Sequence, residues 1–178
     1  PFKLAWFPRA VPLSDLPRLS NDKERRLFCA RSSTEPNRFP GGPATAPFVM
    51  ESVVSADGTE IAYEARGDGR PLVLVHGIAG SKASWRTVPD RLADDYRVVA
   101  MDRRGRGDSG DGDGYALERE VEDVRAVLDA TRENSDGGDP VLFGHSYGGL
   151  VALAAAGDAA LSGLLVYEPA VVAGDHPG

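Results

Sequence analysis

The sequence predicts an α/β domain in which a mostly parallel sheet is covered by helices on both faces. Three observations carry this. The apolar runs at 72–76, 97–101, 141–144 and 164–167 read as strands buried on both sides. Between them lie stretches with helical periodicity. And the apolar runs end in glycine-rich turns, such as "HGIAG" and "GHSYGG", rather than in tight hairpins. Strand alternating with helix implies parallel strands joined by crossovers.

Taken in order, residues 1–48 stand apart. They hold eight of the chain's thirteen prolines and the run "EPNRFPGGPATAP". Proline removes backbone donors and resists both helix and ladder, so no element is expected there. This segment reads either as a disordered extension or as upstream sequence foreign to the domain, which occupies 49–178. Residues 51–55 and 59–65 flank "ADGT", an Asp-Gly turn signal, and predict a hairpin. The strand at 72–76 follows, then a helix over 81–94 and a strand at 97–101. Residues 115–134 give the clearest helix: Leu117, Val121, Val124, Leu128 and Thr131 share one face. Arg119/Asp123 and Arg125/Asp129 are expected to pair at i,i+4 on its outer face. A strand at 141–144, a helix over 147–157 and a strand at 164–167 complete the pattern.

Charge narrows the partners. The net charge is −7, but residues 1–48 carry eight Lys/Arg against four Asp/Glu, so the body is more acidic still, with Lys82 as its only lysine. Such a surface argues against nucleic acid and anionic membrane as partners. Cys29 is the only cysteine, which excludes an intrachain disulfide and a zinc cluster. Apolar stretches fall well short of the roughly 20 residues that span a bilayer, and the N-terminal "PFKLAWFPRAVP" is broken by proline before a signal-peptide core can form. The expected location is cytoplasmic.

The chemistry concentrates at Gly144-His145-Ser146-Tyr147-Gly148, a G-x-S-x-G stretch lying between an apolar strand and a helix. A serine on so sharp a turn presents its hydroxyl, and the small residues Gly144 and Gly148 let the backbone fold back. The following helix N-terminus favours a developing oxyanion. The plainer alternative is a glycine-rich turn in which Ser146 only caps a helix. After "PLVLV" comes His76-Gly77-Ile78, whose loop is placed to supply a second backbone donor. Ile78 and Tyr147 are therefore the candidate oxyanion donors, with Gly77 allowing close approach. His76 reads as a loop-orienting residue more readily than as a base.

"LVLVHG", "MDRRGRGDSG" and "VLFGHSYGG", in that order and spacing, together with "GLLVYEPAV", resemble the α/β-hydrolase fold superfamily from about Met50 to Glu168. The resemblance implies an eight-stranded sheet, a Ser–His–acid triad and cofactor-free hydrolysis of ester-like bonds, with no metal. It implies Ser146 as nucleophile and the turn from Asp102 to Ser109 as support for the site, with His76, Gly77, Gly144, His145 and Gly148 around it. Asp102 lies before the serine, so a supporting role suits it better than that of triad acid. Glu168, at the end of a strand, is the alternative acid, although "YEP" is equally a non-catalytic ending.

In this fold the order is nucleophile, acid, histidine. Beyond Ser146 the sequence has Asp158, Glu168, Asp175 and a single histidine, His176, beside the terminal Pro177 and Gly178. The chain thus reads as the front part of a hydrolase, stopping after the strand that follows the elbow helix. Little activity is expected of it alone, and the strand at 164–167 is expected to be an exposed apolar edge. Three readings stay open: an incomplete serine hydrolase acting on a small ester-like substrate, a non-catalytic small-molecule binder, or half of a split enzyme completed by a C-terminal polypeptide.

Overall fold

The computed structural model describes residues 4–7, 48–134 and 137–171. Most of 1–48, and with it the reading of that segment as disordered or foreign, lies outside the described residues, as does His176. Among the described residues seven strands form one sheet: β1 (Leu4–Phe7), β2 (Val49–Val54), β3 (Glu60–Arg66), β4 (Arg70–Val75), β5 (Tyr96–Met101), β6 (Val141–His145) and β7 (Gly163–Tyr167), in the order β1-β7-β6-β4-β5-β3-β2. The centre β7-β6-β4-β5 is parallel, and β3, β2 and β1 are antiparallel additions. The α/β architecture predicted from alternation is the one observed.

The β2–β3 hairpin turns at Asp57-Gly58, where Ser55 N–H donates to Thr59 O and Gly58 takes φ +89°. The strand β4 is buried from Pro71 to Val75, as its unbroken apolar run requires. Two helices, α2 (Leu117–Glu133) and α3 (Tyr147–Ala155), close one face over Val73, Val75, Val99, Met101 and Leu142. The other face packs Leu72, Leu74, Val98 and Ala100 against Trp85, Val88 and Leu92.

Three expectations need correction. The helix over 81–94 is two short pieces, a 3-10 turn at Lys82–Trp85 and the single-turn α1 (Pro89–Leu92). Pro89 has no N–H to donate back toward Trp85, so a continuous ladder cannot pass through it. The two i,i+4 pairs on α2 do not form. Arg119 reaches Glu122, Arg125 reaches Asp158 and Asp129 pairs with Arg132, while Asp123 is buried against Arg104. Finally, β7 is not a bare edge, because β1 runs antiparallel along it from Leu4↔Tyr167 to Phe7↔Leu164. Proline-rich surroundings hid a four-residue strand whose partner is some 160 residues away.

Chain order reverses around β4, with β5 on one side and β6 on the other. Such a switch point opens a crevice at the carboxyl ends of the strands, the usual ligand position in this architecture. The loops after β4, β5 and β6 all emerge there.

Candidate active site

Ser146 stands between β6 and α3 with φ 55° and ψ −123°. Positive φ is uncommon for a residue with a side chain, and holding it costs on the order of 1–3 kcal/mol. The surroundings impose it. Ser146 N–H donates to Tyr167 O at 3.0 Å, and Ser146 O accepts from Gly149, Leu150 and Ala170 N–H groups. A Cβ at position 144 would lie 2.3 Å from Gly148 O, and one at 148 would lie 2.4 Å from both Val75 O and His76 O. The sharp turn therefore requires glycine on both sides, as the spacing predicts. Ser146 makes no side-chain cap bond to α3, which disfavours the plain capping alternative.

The loop after β4 closes onto this turn. A Cβ at Gly77 would meet Ser146 Cβ at 3.2 Å, so the two backbones are nearly in contact. The Ile78 side chain points to solvent, 62% exposed. Its N–H and that of Tyr147 have no hydrogen-bond partner among the described residues.

His76 is fully buried and its ring is committed at both nitrogens. Arg103 N–H approaches Nε2 at 3.1 Å, and Nδ1 lies 2.8 Å from Gly77 O. A main-chain N–H only donates, so Nε2 accepts and the proton sits on Nδ1, donating to Gly77 O. Burial pushes the His76 pKa down, and the Gly77 hydrogen bond only partly opposes this. This geometry fits the loop-orienting reading and not that of a base. His145 is stacked 5.4 Å from the Tyr167 ring, with Trp85 edge-on at 6.5 Å. No hydrogen bond joins either of these histidines to the Ser146 hydroxyl among the described residues.

Asp102, fully buried, organises the loop after β5. It accepts from Lys82 N–H (2.7 Å), Lys82 Nζ (2.6 Å) and Asp108 N–H (3.0 Å). Burial alone would raise its pKa, but the Lys82 ammonium and the two main-chain donors hold the carboxyl below the usual range. Ser109 Oγ donates to Asp102 O and accepts from Ala62 N–H, stitching the turn to β3. Asp102 thus sits in the supporting turn, with its oxygens occupied. Glu168 is exposed with φ 45°, at the end of β7.

Three residues were missed as site components: Lys82, Arg103 and Glu120. Lys82 straps the loop after β4 to Asp102 and Asp108. Arg103 and Glu120 form a buried pair beneath Tyr147. The readable signals were slight, a lone lysine in an acidic body and acids at 120 and 123 on the inner face of a helix. No group of three or more His, Cys, Asp or Glu among the described residues is arranged to hold a metal ion, and no helix among them is long and apolar enough to cross a membrane.

A strained serine between a buried strand and a helix, at the switch point of a mainly parallel sheet, defines a class of α/β hydrolase-like proteins. The chain belongs to the alpha/beta hydrolase family, whose model matches residues 72–178. An alpha/beta hydrolase from Sphaerobacter thermophilus is 46% identical with a TM-score of 0.54, over 59% of this chain and 39% of that one. A thermophilic esterase from Thermogutta terrifontis is 32% identical with a TM-score of 0.55, over 62% and 41%. A non-heme haloperoxidase of Rhodococcus erythropolis is 38% identical over 102 residues, 56% of this chain and 36% of that one. The chain therefore spans well under half the length of the relatives it matches.

Proposed function

We propose that this chain carries the nucleophile and oxyanion hole of a serine hydrolase that acts on a small ester-like substrate. One observation carries the reading: strained Ser146 lies against a loop whose Ile78 N–H, like Tyr147 N–H, has no partner among the described residues. Unused main-chain donors beside a presented hydroxyl are what a tetrahedral intermediate needs. In this reading the Ser146 hydroxyl oxygen attacks the substrate carbonyl carbon, the carbonyl oxygen gains charge between the two N–H groups, and the alcohol leaves. Water then hydrolyses the acyl-serine, restoring the hydroxyl and releasing the acid.

The hydroxyl proton needs an acceptor. Neither His76 nor His145 is placed to take it, and Glu168 is turned out to solvent. We therefore propose that the chain by itself turns over esters poorly, and that a base comes from outside the described residues or from a complementing C-terminal polypeptide. An oxyanion hole without the full triad still gives roughly 10³–10⁴-fold acceleration over water. Slow labelling of Ser146 by a fluorophosphonate probe, absent in Ser146→Ala, is expected beside near-background turnover of p-nitrophenyl esters. Rapid turnover abolished by Ser146→Ala would overturn the claim of poor activity. Complete absence of labelling would favour the second reading, a non-catalytic small-molecule binder.

A further inference from the structure

Arg103 follows Asp102 in the loop after β5, and its side chain is only 6% exposed. Nε and Nη2 grip both oxygens of Glu120 on α2, at 2.6 and 2.5 Å. That fork is sufficient to neutralise the guanidinium. The remaining contacts go elsewhere. Nη1 donates to Gly77 O at 3.2 Å, and the guanidinium carbon lies 4.5 Å from the centre of the Tyr147 ring.

Gly77 O and Ile78 N–H belong to one peptide unit. The chain has no cis peptide among the described residues, so the two groups point in opposite directions from one plane. Whatever holds the carbonyl also aims the N–H. Two donors hold it, His76 Nδ1–H and Arg103 Nη1–H, and His76 is itself fixed by the Arg103 main-chain N–H. The other unpartnered N–H belongs to Tyr147, whose ring lies under the same guanidinium. A single cation thus touches the Gly77–Ile78 peptide at its carbonyl and Tyr147 at its ring.

We propose that Arg103 is a positioning residue for the oxyanion hole. Clamped by Glu120, it sets the Gly77–Ile78 peptide and Tyr147 in register so that both N–H groups face one oxygen. This rests on the hydrolase reading of Ser146, Ile78 and Tyr147. It uses what the guanidinium alone offers: a planar fork for the carboxylate, a further arm for a carbonyl and a face for an aromatic ring.

The test uses the full chain, labelled with ¹⁵N, as wild type, Arg103→Met and Arg103→Lys. In Arg103→Met the Ile78 and Tyr147 amide signals should shift, while those of Val73 and Val99 in the sheet stay in place. Fluorophosphonate labelling of Ser146 should slow by roughly 10-fold or more, below the roughly 10²–10³ that follows outright loss of a donor. Arg103→Lys keeps the buried charge but has no arm for Gly77 O, so it should move the same Ile78 amide, and it serves alone if the methionine variant does not fold. Unchanged Ile78 and Tyr147 amides in a folded variant overturn the proposal. The two readings separate cleanly: absent labelling in wild type with a shifted Ile78 amide supports positioning and removes the hydrolase reading. Absent labelling with an unmoved amide overturns both.

Discussion

Arg104 and Asp123 form a two-pronged ion pair in the interior, Nε to Oδ2 and Nη2 to Oδ1, each at 2.7 Å. The arginine side chain is 0% exposed and the aspartate 1%. The Arg104 fork is extended by Asp57 and by the Gly114 and Arg119 carbonyls, so one cation ties the loop after β5 to α2 and to the β2–β3 turn.

Removing one partner of such a pair leaves a buried charge unmatched, which typically costs about 3–5 kcal/mol. Asp123→Ala is therefore expected to lower the urea midpoint steeply, toward the small end of that range because Asp57 remains. The exposed Arg119–Glu122 pair supplies the contrast. Glu122→Gln should change stability by less than about 0.5 kcal/mol. Equal effects from the two substitutions would contradict the burial argument.

A second prediction concerns pH. Burial lowers the His76 pKa in the folded chain below its ordinary value of 6.5. Between the two values the unfolded chain binds more protons than the folded one, so stability rises with pH there. The His76 contribution is present above pH 6.5 and is lost as pH falls toward the folded-state value. Urea midpoints measured from pH 8 to pH 5 should decline on the acid side, and His76→Gln should flatten that part of the profile. The carboxylates Asp57 and Asp102, held low by Arg104 and Lys82, lose their contribution only in a separate window below about pH 4.

The glycine at 148 gives a third. Its missing Cβ is where Val75 O and His76 O pass at 2.4 Å. Gly148→Ala forces the elbow away from β4, at a cost of about 1–3 kcal/mol, and should reduce labelling of Ser146. Gly157→Ala, where a Cβ meets nothing within 4 Å, should be near neutral. Thermal melts of the two variants decide between a steric requirement and a general dislike of alanine.

These residues show what sequence could reveal. The strand β4 was legible because burial on both faces demands an unbroken apolar run, β6 and β7 because their runs are apolar although one face of each is only half-buried, and the elbow was legible because its geometry is local. Glycine, serine and glycine must stand within five residues. Asp123 was read as belonging outside, and Glu120 was not singled out, because helical periodicity records only which face is apolar. It does not show that Arg103 and Arg104 arrive from another loop to meet acids on that face. The same holds for the loop after β4. Its donor, Ile78, could be named from the motif, while the side chains gripping Gly77 O come from positions 76 and 103 and are brought together only by the sheet.

The pairing of β1 with β7 leads to the last prediction. Leu4–Phe7 occupies the outer edge of β7 in antiparallel register. An uncovered apolar edge strand offers a row of free N–H and C=O groups to other molecules. Deleting residues 1–10, or breaking the strand with Trp6→Pro, should therefore increase light scattering and shift the chain toward larger species on size exclusion. Proline acts here by removing a ladder donor and resisting the strand conformation. The effect should also reach the candidate site, since Tyr167 at the end of β7 accepts the Ser146 N–H bond at 3.0 Å. Loosening β7 should therefore quicken amide exchange at Ser146 before it does so in β4, which lies further inside the sheet. If both variants remain monodisperse and Ser146 exchange is unchanged, the β1 pairing contributes nothing to guarding that edge.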